Sequence, residues 1–245
     1  MIAIPTTAGT GSEAQSYAVI ANATTGLKMA CGDPKAAYQV AILDPELTLS
    51  QPDTVTATSG FDAIAHAIET AVTTRRSPIS DCFSHEAWRL LENHYETVLN
   101  RPGDVEARAA MQLGAFYAGF AIEQSMLGAA HACANPLTAH YQVTHGVALA
   151  ILLPHVVRWN GAVAESGYRA LLGGGPVPGT SGERLATRLR ALADAAGLPA
   201  CLQVEGVMED GLPQLAHEAA QQWTGTFNPR PFTATDALEI YRCAF

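Results

Sequence analysis

Positive charge is scarce in this chain and does not cluster. Over 245 residues, 14 Lys and Arg stand against 23 Asp and Glu, a formal net charge of -9, and no basic cluster exceeds the pair Arg75-Arg76. That balance argues against binding to a phosphate backbone, so nucleic acid is not an expected partner. Cysteine is thinly spread: Cys31, Cys82, Cys133, Cys201 and Cys243 are odd in number and form no C-x-x-C. They support neither a disulfide framework nor a structural zinc site, and they point to a reducing, cytoplasmic setting. Met1 leads into Ile-Ala-Ile-Pro without a basic stretch, so no targeting leader is expected. No apolar run reads as long enough to span a bilayer, and no membrane partner is expected. Internal repeats and low-complexity tracts are also lacking.

What is present is an ordinary globular composition, 48% hydrophobic and 15% charged, enough for a substantial core in one or two domains. The first fifty residues hold short β-prone runs at 2–6, 16–21 and 38–43, separated by Gly, Asn, Asp and Pro. They predict an α/β piece without a complete sheet. From residue 51 the pattern changes to Ala/Leu-rich stretches with a period of three to four, which predicts helices over 54–72, 80–100, 105–126 and 146–160. A further helical run at 181–196 follows a loop at Gly173-Gly174-Gly175. Arg101-Pro-Gly-Asp104 marks a break before a helix start, and Pro154 predicts a kink or an end.

Ser59-Gly-Phe-Asp62-Ala-Ile-Ala-His66-Ala-Ile-Glu69 places an acid and an imidazole one helical turn apart, on one face. A carboxylate and an imidazole converging in this way can seat a first-row divalent cation with positions left open. Further ligands are available in His131-Ala-Cys-Ala-Asn135-Pro136 and Thr144-His145-Gly146, so Asp62, His66, His131 and His145 form a plausible metal site. The competing reading is an exposed pair or a helix cap. Against it, both segments sit among Ala, Gly, Leu and Val, where an unpartnered polar group is costly. The stretch Ile4-Pro-Thr6-Thr7-Ala-Gly-Thr10-Gly-Ser-Glu13 follows a strand with hydroxyls and flexible amides, suited to a phosphate or ribose, or simply to a turn.

IPTTAGTGSE, Lys28, AILDPEL, SGFDAIAHAIE and LGAAHACANPLTAHYQVTHGVALAILLPHVVRWN resemble, in order and spacing, the iron-containing (group III) alcohol dehydrogenases. The resemblance is clearest from residue 2 to residue 160 and extends more weakly to the Asn228-Pro-Arg-Pro231 segment. It implies a mainly α, dehydroquinate-synthase-like fold: an all-helical metal-binding domain, residues 51–245, behind a remnant of an α/β Rossmann-like nucleotide domain, residues 1–50. It implies Asp62, His66, His131 and His145 as ligands to Fe2+, alternatively Zn2+. It also implies Thr6, Thr7, Thr10 and Lys28 as contacts to NAD or NADP. The expected reaction is hydride transfer between NAD(P) and a small alcohol, aldehyde or ketone.

Where many members place a second histidine four residues after the first, this chain has Asn135, which can hydrogen-bond a substrate but cannot carry a proton at neutral pH. Tyr141, His140 or water then offer proton routes, with His140 equally readable as a surface residue. Phe61, Phe116, Phe120 and Cys133 read as pocket walls or as ordinary core. Members also carry strands, helices and a Gly-Gly-Gly-Ser pyrophosphate turn ahead of IPTTAGTGSE, and this sequence starts at that loop. Weak cofactor binding by the chain alone is expected, together with an unpaired sheet edge that favours a dimer or another homo-oligomer. Two other classes compete: a metal-dependent hydrolase, although no His-Asp dipeptide is present, and a non-catalytic metal-binding or oligomerisation module.

Overall fold

Few of the first fifty residues enter regular structure. In the computed structural model, which describes residues 1–21, 28–175 and 178–245, the side chains of Ala21 and Lys28 excepted, four short strands are present. β1 (Ile2–Ala3) pairs in parallel with β4 (Val40–Ala41), and β2 (Tyr17–Ala21) pairs antiparallel with β3 (Lys28–Gly32), Tyr17 standing opposite Gly32. The runs expected at 2–6 and 38–43 shrink to two residues each, because each has a single partner among the described strands. β3 is a strand that composition does not announce: Lys28-Met-Ala-Cys-Gly32 has no β-branched residue, and pairing to β2 makes it one.

Among the described residues eight α-helices follow: α1 (Asp53–Thr70), α2 (Pro78–Asn100), α3 (Val105–Ser125), α4 (Ala129–Tyr141), α5 (His145–Leu171), α6 (Ser181–Ala195), α7 (Leu212–Ala220) and α8 (Ala234–Ala244). Their starts are written in side chains. Ser77 and Ser80 form a reciprocal capping box on α2, Asp104 accepts from the Ala107 amide on α3, and Thr180 accepts from Glu183 on α6. α1 lies at the centre, with every residue from Gly60 to Thr70 buried, and packs on α2, α3 and α5. Such burial all round is what its Ala, Ile and Phe content allows.

Three expectations change. The helix ranges expected from the sequence leave out α4, α7 and α8; in α4, Pro136 sits inside the helix and polar residues break the apolar period. Of the kink or end expected at Pro154, the end does not occur: α5 runs through Pro154, which is buried. By length and composition α5 is also apolar enough to cross a bilayer, contrary to the sequence reading. Yet 61% of its most apolar window is buried, as in a central helix of a globular bundle, and it packs on α1, α4, α6 and α8. Residues 176 and 177, in the expected loop after Gly175, lie outside the described residues.

One face of α3 holds the chain's start in place. Gln112 donates to the Pro5 carbonyl at 3.2 Å, and Glu123 accepts from the Ser16 amide at 2.9 Å and from its hydroxyl at 2.7 Å. Between them, a Cβ on Gly119 would lie 2.3 Å from the Gly11 carbonyl oxygen, and Gly11 itself has φ +59°. Only glycine at both positions lets the loop backbone lie against the helix. The buried Arg108 donates to Thr56 at 3.1 Å, and Gln51 donates to the Thr6 carbonyl at 2.6 Å, which ties the loop's beginning to α1.

Candidate metal centre

Within α1, residues 62, 66 and 69 fall on one stripe because successive offsets of four and three bring side chains to the same face. Asp62, His66 and Glu69 are all buried there. α4 supplies His131 and the first residue of α5 is His145. The close approach of α5 to α1 depends on Gly146, whose Cβ, if present, would lie 2.0 Å from the Thr58 carbonyl oxygen. Thr58 lies one turn before Asp62, so that contact brings His145 alongside the Asp62 carboxylate.

Three imidazoles converge on one carboxylate oxygen. Asp62 Oδ1 lies 3.3 Å from His66 Nε2, 3.5 Å from His131 Nε2 and 3.9 Å from His145 Nε2. The His66 and His131 rings stack with centroids 4.8 Å apart. Asp62 Oδ1 and His131 Nε2 are buried with no hydrogen-bond partner among the described residues. Polar atoms left so are costly unless something binds them. Asp62, His131 and His145 each offer a ligand atom within 4.8 Å of the others, and mixed nitrogen and oxygen donors suit a first-row divalent cation. The residues therefore fit the metal that the sequence pattern implies.

Electrostatics follow from this crowding. Burial alone would raise the Asp62 carboxyl, but the imidazoles of His66, His145 and His131 outweigh it and hold Asp62 well below the usual carboxylate range. Burial drives His66 down to about 4 despite Asp62 beside it. His131 goes the other way, raised to about 9, since Glu69 and Asp62 overcome the effect of burial. Glu69 joins this cluster, and the sequence reading gave it no role. Its Oε2 accepts from His131 Nδ1, and its Oε1 accepts from the Ala130 amide at 2.7 Å. The spacing Asp62, His66, Glu69 was a usable signal, because the third acid continues the stripe.

The family description "Fe-containing alcohol dehydrogenase family, C-terminal" matches residues 56–245, and "Iron-containing alcohol dehydrogenase" matches residues 1–45. The chain belongs to the iron-containing alcohol dehydrogenase family. Its relatives within that family include the NAD-dependent methanol dehydrogenase of Bacillus methanolicus, 34% identical over all of this chain and 66% of the relative. The lactaldehyde reductase of Escherichia coli (strain K12) is 35% identical over all of this chain and 65% of its own length. The alcohol dehydrogenase from Oenococcus oeni superposes with a TM-score of 0.93 at 30% identity, covering all of this chain and 65% of that one. This family member thus spans about two thirds of the length of the relatives it matches. The mainly helical fold expected from the sequence is the fold of that structure, and the relatives named are dehydrogenases and a reductase, not hydrolases.

A cavity of about 700 Å³ opens over the cluster and is lined by Asp62, His66, His131 and His145 at its polar end. Ile122, Met126, Leu127 and Trp223 supply apolar wall, and Thr10, Ser12 and Gln15 come from the loop held on α3. Met126 reaches the wall from a backbone at φ 81° and ψ 178°, a region that side chains rarely adopt. Asn135 also lines the cavity and donates to Gln222 Oε1 at 3.0 Å. Thr6 and Thr7 are not among the residues lining it, and the Lys28 side chain lies outside the described residues. His140 is exposed, paired with Glu218 at 2.7 Å, and Tyr141 packs its hydroxyl over Gly211, so neither faces the cavity. Of the two readings open for Phe61, Phe116, Phe120 and Cys133, the pocket wall is not the one seen, since none lines the cavity: Phe61 is wholly buried edge-on to Tyr95, Phe120 packs on Phe83 with Phe116 nearby on Tyr117, and Cys133 is core.

Proposed function

We propose that this chain carries the metal centre and substrate cavity of an NAD(P)-dependent alcohol dehydrogenase, with Asp62, His66, His131 and His145 as ligands to Fe2+ or Zn2+. The observation that carries the reading is the convergence of three imidazoles on the buried, unpartnered Asp62 Oδ1 at the polar end of the cavity. Residues 1–50 act as nucleotide-side structure and residues 51–245 as the metal-binding body.

When bound, the cation supplies Lewis acidity toward the oxygen of a small alcohol or carbonyl compound. A nicotinamide cofactor, when bound, supplies the hydride acceptor or donor. The chain's own residues do the rest. Asp62 brings one negative charge to the cation, so the site keeps net positive charge. Ile122, Met126 and Leu127 exclude water from one side of the cavity, and Asn135, braced by Gln222, offers a hydrogen bond to substrate without a titratable proton. Thr10 is the expected cofactor contact that faces the cavity, while Thr6 and Thr7 shape the same loop. A homo-oligomer such as a dimer, in a reducing cytoplasm, accords with five unpaired cysteines and with exposed apolar residues on β1 and β4.

The test is absorbance of NADH and NADPH with short aldehydes, and of NAD and NADP with short alcohols, on protein loaded with Fe2+ or Zn2+. Cation-dependent turnover is expected to be poor, and to need cofactor at millimolar concentration, in line with the weak cofactor binding expected of the chain alone. A chain that holds the cation and binds the cofactor, yet turns over no alcohol or aldehyde, would sink the hydride-transfer reading.

A further inference from the structure

The Asn228-Pro-Arg-Pro231 segment stands out in the sequence, and no role in the cavity accounts for it. It packs behind the metal centre, at the N-terminus of α4. That helix begins at Ala129 after Gly128, which has no side chain to cap it, so its first amides need acceptors from elsewhere. Two side chains from distant parts of the chain serve. Glu69 Oε1 accepts from the Ala130 amide at 2.7 Å, and Asn228 Oδ1 accepts from the Ala129 amide at 3.3 Å. Gly128 lies between them: a Cβ there would sit 3.0 Å from Glu69 Oε1 and 3.1 Å from Asn228 Oδ1.

Asn228 is itself held on every side. It exchanges two hydrogen bonds with Asn160 of α5, at 3.0 and 2.9 Å, and its amide donates to the Arg230 carbonyl at 2.8 Å. Arg230 donates to the Trp159 carbonyl at 2.9 Å and lays its guanidinium 4.1 Å from the centroid of the Trp159 ring. The cavity bounded by Glu69, Asn160, Tyr168 and Asn228 has only about 10 Å³, so Glu69 has no room to swing toward α5.

Resting on the metal-centre reading above, we infer that Asn228 and Asn160 are positioning residues: together they seat α4's first turn on Glu69, so that Glu69 holds His131 by Nδ1 with Nε2 turned toward Asp62. The amide pair touches neither the cation site nor the cavity; its effect passes through Glu69 and the helix start. Glu69, one step removed from a ligand, is of the kind whose loss typically costs about 10- to 100-fold in metal affinity, and Asn228 and Asn160, one step further out, belong at the lower end of that range.

The experiment is competitive titration of the full chain with Zn2+ against a chromophoric chelator, together with the visible ligand-field spectrum of the Co2+-loaded protein. Asn228→Ala should weaken Zn2+ binding by about tenfold and shift the Co2+ bands, and Glu69→Gln should do at least as much. The double variant should be no weaker than Glu69→Gln alone, because Asn228 acts through Glu69. Tyr95→Phe is the control: it removes the buried hydrogen bond to the Ala57 carbonyl at 2.7 Å and should lower the melting temperature without moving Zn2+ affinity. Should Asn228→Ala not accumulate folded, Asn160→Ala removes the same amide exchange and is read in the same way. Additive losses in the double variant, or Zn2+ affinity unchanged in the Asn228 or Asn160 variant, overturn the inference and leave the metal centre standing. A wild-type chain that retains no cation overturns both.

Discussion

Before residue 51, Ala8 is the one apolar side chain that is buried among the described residues, whereas α1 buries every residue from Gly60 to Thr70. The two regions are held by different forces. The early segment leaves Ile2, Ile4, Val19, Ile20, Val40 and Ile42 exposed, because two strand pairs of two to five residues cannot enclose a core. It keeps its place through polar contacts to α3 and one glycine-on-glycine approach. The helical body has a continuous core and carries the candidate ligands on it, so the site's geometry rests on the better supported region.

The largest effect expected from this contrast concerns the body. His131→Ala and His145→Ala should each reduce retained divalent cation from about one per chain to near zero, measured by elemental analysis after dialysis. Unchanged content in both would refute the ligand set. Next comes core packing. Leu152→Ala, at a wholly buried position of α5, should cost about 2–5 kcal/mol in urea denaturation. Val19→Ala, exposed on β2, should stay within about 0.5 kcal/mol. Similar costs for the two would break the contrast.

A smaller, local effect is expected where the regions meet. Gly119→Ala should push the Gly11 backbone away at a cost of about 1–3 kcal/mol. Amide hydrogen exchange should speed up across residues 9–13 while α1 and α5 stay protected. Exchange that quickens equally in all three would mean that the loop and the body unfold together. The smallest effect should come from Asn135→His. It adds a titratable group at the cavity and should change the pH dependence of turnover while leaving cation content alone. Identical pH profiles for the two proteins would place Asn135 outside the proton path.

How much of this was legible beforehand differs residue by residue. Asp62 and His66 could be read as a pair from a four-residue offset, and Glu69 extends the same stripe. His131 and His145 were readable through their motifs, but not α4 itself, whose Pro136 hides the helical period. Thr6 and Thr7 looked equivalent to Thr10 in sequence, and only the way the loop lies on Gly119 turns Thr10 toward the cavity. Phe61 and Phe120 could be read as pocket wall or as core, because their proximity to the motifs is visible in sequence while the direction in which each side chain points is not.

By itself the sequence determined most of the helical body, its helix starts at Ser77, Asp104 and Thr180, and the acid-imidazole stripe on α1, since all of these depend on neighbours within about one helical turn. Tertiary structure alone decided that Glu69 would meet His131, 62 positions away, and that Asn228 would cap α4 across 99 positions while locking to Asn160 across 68. Those contacts exist because close-packed helices leave an uncapped first turn beside a buried carboxylate and a buried amide. Every buried donor must then find an acceptor wherever packing has placed one, whatever the distance along the chain.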